Sequence, residues 1–179
     1  MKAILISIQP KWCELIASGK KTVEVRKTKP KIETPFKCYI YCTQNTPYNP
    51  VIPMRYEKDG GNIYTGGKRY AEFLTSRVIG EFVCDKIYEI KPHHDIPTFC
   101  NQYECGWKFE EAEACLSFDE LNCYLGGKNG FGWHVSNLVI YEKPKELSEF
   151  EGLRKTKFGY EPIKITRPPQ SWCYVEELK

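Results

Sequence analysis

Short runs of alternating side chains, each stopped by proline or glycine, leave this chain room for strands and little room for long helices. Residues 3–8 alternate, with Ile4, Ile6 and Ile8 on one face. Residues 22–26, 36–43, 77–90 and 133–141 repeat the pattern, and a last run begins at Trp172 after Pro168-Pro169. Phe36, Cys38, Ile40 and Cys42 are expected to face inward, and Lys37, Tyr39 and Tyr41 outward. In the 77–90 run Val78, Phe82, Cys84 and Tyr88 share a face, with Gly80 where a bulge or a close backbone approach would fall. Only two segments read as helices. Pro10 suits a first helical position and Trp12, Leu15 and Ile16 form an apolar stripe that expects Trp12 in the core. Ser117-Phe118-Asp119-Glu120 has the form of a capping box ahead of Leu121, Tyr124, Leu125 and a Gly-Gly stop. At least five strands, few helices and connections too short for repeated βαβ units predict a mostly β fold. The expected architecture is a small barrel of mixed or antiparallel strands with flanking helices. At 179 residues, 41% of them hydrophobic, residues 1–179 fit one domain with a sizeable core.

The functional signal concentrates in Gly19-Lys20-Lys21-Thr22-Val23-Glu24-Val25-Arg26. Gly19 suits the left-handed position that ends a helix. Strand alternation from Thr22 then puts Thr22, Glu24 and Arg26 on one face and Val23 and Val25 on the other. Between Lys20 and Lys37 there are seven basic residues against two acidic ones, an excess larger than the +3 of the whole chain. The remainder is therefore slightly acidic, and the overall balance is too mild to announce a nucleic-acid binder unaided. A cation pair, a carboxylate and a hydroxyl in one turn and one strand can hold an anion or act on a polar group. The same residues can equally be a solvated edge whose charges pair with each other. Arg26 can contact a phosphate in bidentate fashion, with Lys21 beside it, while Glu24 would be held ionised between them. Trp133 or Trp172 could stack a base.

Other segments carry less. Residues 44–67 read as an irregular loop of binding or lid type, broken by Pro47, Pro50 and Pro53. Nine cysteines, without a signal-peptide core ahead of them, read as reduced thiols in a cytoplasmic protein. Cys38 and Cys42 are separated by three residues and Cys100 and Cys105 by four, so neither pair has zinc-knuckle spacing, and no metal or other cofactor is expected. His93 and His94 lie in a weakly periodic stretch within 93–123 to which no role is assigned. His134 is expected as a buried, hydrogen-bonded residue rather than a triad member. No P-loop or dinucleotide fingerprint occurs, and no apolar run approaches the roughly 20 residues of a membrane-spanning helix.

The stretch Leu5-Ile6-Ser7-Ile8-Gln9-Pro10, followed by Trp12 and by Ile16-Ala17-Ser18-Gly19-Lys20-Lys21-Thr22-Val23-Glu24-Val25-Arg26, resembles the ASCH domain, a PUA-like β-barrel family. Gly130-Phe131-Gly132-Trp133-His134-Val135-Ser136-Asn137-Leu138 and Pro168-Pro169-Gln170-Ser171-Trp172 resemble its bacterial and prophage-associated members. The resemblance implies a PUA-like barrel with a cleft beside the first helix that binds RNA or a nucleotide, followed by a C-terminal extension from about residue 143. It implies ligand contacts from Ser7, Lys20, Lys21, Glu24, Arg26, Ser171 and Trp172. Some small members hydrolyse the amide of N4-acetylcytidine with a lysine in a Gly-x-Lys-Thr turn, a threonine two positions after that Thr, and a later glutamate. Lys21 matches the lysine. Glu24 stands where the nucleophilic hydroxyl would be, and Glu104, Glu110 and Glu111 are the candidates for the later glutamate. The leading expectation is RNA or nucleotide binding, with no membrane partner. The alternatives are a hydrolase of amidohydrolase or ribonuclease type using Lys21 and Glu24, acting on a modified nucleoside or RNA, and a protein-interaction module.

Overall fold

The computed structural model describes residues 1–44, 75–91 and 111–178. The expected loop at 44–67, apart from Gln44, and the histidine pair lie outside these residues, as do Glu104 and Glu110. Strand β1 (Lys2–Ile8) leads through α1 (Pro10–Ala17) to β2 (Val23–Arg26) and β3 (Phe36–Cys42). Then follow β4 (Arg77–Cys84), β5 (Ile87–Ile90), α2 (Glu111–Ala114), α3 (Phe118–Leu125), β6 (Gly130–His134) and β7 (Ser136–Lys145). A short 3-10 turn (Leu147–Glu149), a β8 (Glu151–Thr156) and β9 (Gly159–Lys164) hairpin, and β10 (Trp172–Glu176) complete the order.

The strands form two sheets, one ordered β7-β4-β3-β1-β10-β8-β9 and one ordered β2-β6-β5. All described pairings are antiparallel except β1 with β3. This is the mostly β, mixed-sheet and barrel-like fold read from the sequence. Alternation along β1 explains how the layers meet. Ile4, Ile6 and Ile8 enter a core with Cys13 and Ile16 of α1, Phe36, Cys38, Ile40 and Cys42 of β3, and Trp133. Ala3 and Leu5 enter a second core on the opposite face with Tyr39, Tyr41, Phe150 and Val175. A third cluster packs Leu121 and Leu125 of α3 onto Val25 and Ile90 of the small sheet. The α3 helix starts with the expected capping box, Ser117 Oγ accepting from the Glu120 amide, and ends at Gly126 in the left-handed region.

Four expectations change. Tyr39 and Tyr41 do not face solvent; they are buried because the large sheet is covered on both faces. The run from Arg77 to Ile90 is two strands in different sheets, and Val78 does not share a face with Phe82 and Cys84. A register shift around Gly80 reverses the alternation, placing Val78 in the second core and Ile79, Phe82 and Cys84 in the first. Gly130-Phe131-Gly132 does not merely precede a strand; it forms β6 with Trp133 and His134, and the chain changes sheet at Val135 before β7. Trp12 is only half-buried, while Cys13, one residue on, takes the core position beside Ile16.

Gly80 is required by space rather than by backbone angle. A Cβ there would collide with the Val139 carbonyl oxygen of β7, which backbone pairing holds in place. Gly80→Ala is expected to cost about 1–3 kcal/mol through overpacking, measured as a lowered urea midpoint with unchanged slope.

Candidate functional site

The helix stop sets the site. Gly19 adopts φ +71°, and the Lys21 amide then bonds back to the Leu15 carbonyl at 2.9 Å. That tight return directs Lys21 inward rather than into solvent, and it is 2% exposed. Three and five residues on, Glu24 and Arg26 share one face of β2 and are 5% and 7% exposed. Glu24 lies between the cations, with Oε1 2.8 Å from Arg26 Nη2 and Oε2 3.6 Å from Lys21 Nζ. A buried carboxylate is tolerable here because both its oxygens face a positive charge.

The remaining donors tie distant segments to this cluster. Lys21 Nζ donates to the Ala114 carbonyl of α2, and Arg26 Nη2 donates to the Ser7 carbonyl at 2.7 Å. Arg26 Nη1 reaches Ser171 Oγ at 3.4 Å, while Ser7 Oγ donates to the Pro169 carbonyl at 2.7 Å. Burial lowers the Lys21 pKa from its ordinary value, opposed by the adjacent Glu24 carboxylate and reinforced by the Arg26 charge. The Arg26 Nε is buried without a hydrogen-bond partner.

Above this floor is a cleft of about 880 Å³, near the top of the roughly 300–1,000 Å³ range of small-molecule sites. Lys21, Glu24, Arg26 and Ser7 line it together with Trp12 and Gln9 from the start of α1, Thr43 after β3, and Pro169-Gln170. The opposite wall is α3 and its approach, with Leu116, Asp119, Glu120, Cys123 and Tyr124. Lys21 Nζ lies 5.1 Å from the Trp12 ring centroid, and Lys27 Nζ lies 5.1 Å from that of Tyr124. Burial raises the Tyr124 pKa, so its hydroxyl stays protonated at neutral pH.

The structure thus brings together Ser7, Lys21, Glu24 and Arg26, with Ser171 joined to them through Arg26. It leaves Lys20 exposed and outside the cleft lining. Trp172 is also outside that lining; its Nε1 donates to Thr28 Oγ1 and its ring packs on Trp133 and Tyr174. Trp133 is 0% exposed and so cannot stack a ligand. His134 is hydrogen-bonded but only partly buried, its Nδ1 2.6 Å from Asp85 Oδ1, and it does not line the cleft. A phosphate clamp does not fit the floor either, because the Arg26 fork is already shared among Glu24, the Ser7 carbonyl and Ser171.

Sequence reasoning missed the α3 wall. The capping box located that helix, but nothing in its pattern says that Asp119, Cys123 and Tyr124 face β2. The spacing of Trp12 matches the apolar stripe and so points to the core, whereas its half-buried ring lines the cleft. Among the described residues no group of histidine, cysteine and acidic side chains has a metal-binding arrangement, and the described cysteines are free thiols.

Comparison with known proteins sets this geometry in a family. The ASCH domain model matches residues 6–169. The chain belongs to the ASCH-domain family. Among solved structures, the ASCH protein of Zymomonas mobilis aligns over 98% of this chain and 88% of its own, at 20% identity with a TM-score of 0.52. A tyrosine-to-phenylalanine variant of that protein aligns over 99% and 92% at 20% identity with a TM-score of 0.53. No curated protein matches the sequence. At these identities the solved ASCH structures show the fold alone. No described helix of this ASCH protein is long and apolar enough to cross a membrane.

The floor predicts its own fragility. Glu24→Ala would leave Lys21 and Arg26 as buried cations without their common counter-charge, at a cost of about 3–5 kcal/mol. Chemical denaturation should show that loss, with a smaller one for Glu24→Gln, which keeps two polar atoms in place.

Proposed function

We propose that the cleft binds the base of a nucleotide, free or within RNA. The observation that carries this reading is the Lys21–Glu24–Arg26 floor lying in a cleft that Trp12 and Tyr124 also line. The Lys21 ammonium and the Glu24 carboxylate, side by side on the buried floor, are a donor and an acceptor of the kind that the edge of a nucleobase would meet. The two aromatic side chains offer faces for stacking. Asp119 on the helical wall makes the rim unfavourable for a phosphate, so the sugar-phosphate part belongs outside, toward Lys27. The chain is read as a single ligand-binding unit spanning residues 1–179, acting in the cytoplasm.

Titration of mononucleotides and of short RNA against intrinsic tryptophan fluorescence tests this directly. Trp12→Ala and Tyr124→Ala should each weaken binding by about 1–3 kcal/mol, that is, five- to 150-fold, without large loss of stability. Wild-type protein that binds neither ligand class, or variants that bind as tightly as wild type, would sink the reading.

A second reading is favoured by one feature, the buried Lys21 amine whose proton burial disfavours, 3.6 Å from a carboxylate. Such an amine and carboxylate could relay a proton in hydrolysis of a modified nucleoside or of RNA. If so, product formation should rise with pH as Lys21 deprotonates, with a midpoint below the ordinary lysine value, and Lys21→Met should abolish it. Chromatography of acylated nucleosides and RNA incubated with the protein checks for such products.

A further inference from the structure

We propose that the outer end of the large sheet is a second nucleic-acid subsite, which takes the nucleotides of single-stranded RNA that flank the base in the cleft. The inference rests on the cleft reading above and extends it from a nucleotide to a strand. Its first support is a row of rings. Trp172 and Tyr174 of β10 pair with Ile6 and Ile4 of β1, so they project from the face that carries the first core. Beyond the core that row continues outward, with Trp172 and Tyr174 centroids 5.5 Å apart and Tyr174 and Tyr160 centroids 5.7 Å apart. Lys2 Nζ lies 3.5 Å above the Tyr160 ring. Register from β10 through β8 to β9 puts Lys155 and Lys164 on this same face, both exposed.

The second support is the basic loop between β2 and β3, which joins the cleft to the row. At one end Lys27 lies over Tyr124, a cleft residue. Thr28 accepts from Trp172 Nε1 at 3.0 Å, and the Lys31 amide donates to the Tyr174 hydroxyl at 2.7 Å. The loop is thereby fixed along the row, and no carboxylate pairs with the Lys31 ammonium among the described residues. Pro169-Gln170 lines the cleft, and the chain then runs through Ser171 into Trp172, so cleft and row share one continuous border. These half-buried rings meet edge-to-face, so a base would stack on the outermost, Tyr160, by displacing the Lys2 ammonium toward a phosphate; rings beside ammonium groups are the chemistry of a single-strand platform. Glu151 and Glu176 lie on this face too, which keeps its excess of charge modest and favours a tracking contact over tight nonspecific binding.

The test compares a fluorescein-labelled, mixed-sequence single-stranded RNA of about ten nucleotides with mononucleotides, on wild type and on Tyr160→Ala, Lys31→Glu and Trp12→Ala. Lys31→Glu keeps the backbone bond to Tyr174, and thermal melts establish that each variant is folded. Tyr160→Ala and Lys31→Glu should each weaken the ten-nucleotide RNA roughly tenfold while mononucleotide affinity stays unchanged. Lys31→Glu should also flatten the salt dependence, because one phosphate contact is lost. Unchanged RNA affinity in both variants, with mononucleotides still bound, overturns the subsite and leaves the cleft reading intact. RNA affinity that survives Trp12→Ala but falls with Tyr160→Ala keeps the row as an RNA site and overturns the cleft reading. Folded wild type that binds neither probe overturns both.

Discussion

Glu24 is the residue on which the architecture of the cleft depends. A carboxylate buried among apolar strands must have its charge answered, and two cations of β2 and its entry turn answer it. Those cations then have donors left over, and all but the buried Arg26 Nε of the described donors reach segments distant in sequence. Lys21 holds α2 through the Ala114 carbonyl, and Arg26 holds the end of β1 and the approach to β10. The polar cluster is therefore a junction as much as a site. Its floor is held in place by the protein's own contacts, a preorganisation that lowers the cost of binding any ligand.

Burial also divides basic residues that the sequence runs together. Seven basic residues between Lys20 and Lys37 look like one anion-binding patch. In the fold they divide. Lys21 and Arg26 are held in a buried network around Glu24, whereas Lys27 and Lys31 border open surface. Lys37 belongs to neither group; on β3 it pairs with Glu81 and Glu177. Burial, not basicity, separates the cations held in the network from those that border open surface.

Much of the fold was legible because strand alternation and helix stops are local. The β1 face pattern, the Gly19 stop, the Ser117 capping box and the start of β10 all follow from residues within a few positions of each other. Whatever depends on a second layer was not. Alternation in β3 separates Tyr39 and Tyr41 from Cys38 and Ile40, but it cannot say that both faces are covered. The bulge at Gly80 reverses the faces of β4, so a correct strand carries a wrong inward set. The β8–β9 hairpin escaped almost entirely, because its residues are mostly exposed and give no apolar period to detect. For the site, spacing identified Lys21, Glu24 and Arg26, whereas the α3 wall needed tertiary knowledge that no motif supplies.

Why the chemistry gathers in one stretch follows from topology. Among the described strands β1 and β3 are the parallel pair, and parallel neighbours need a long crossover to reverse the chain between them. Here that crossover contains α1, the Gly19 turn, β2 and the basic loop, and it passes over the carboxyl ends of both strands. Ser7 and Gln9 at the end of β1 and Thr43 just past β3 line the cleft from those ends. Ligand sites in sheets with parallel strands fall at such ends, where the connection leaves a crevice that side chains cannot fill. The antiparallel remainder of the sheet closes around this crevice through the β10 approach. One crossover thus supplies the floor, one aromatic wall and the basic border, while the opposing α3 wall and the Pro169-Gln170 edge come from elsewhere in the chain.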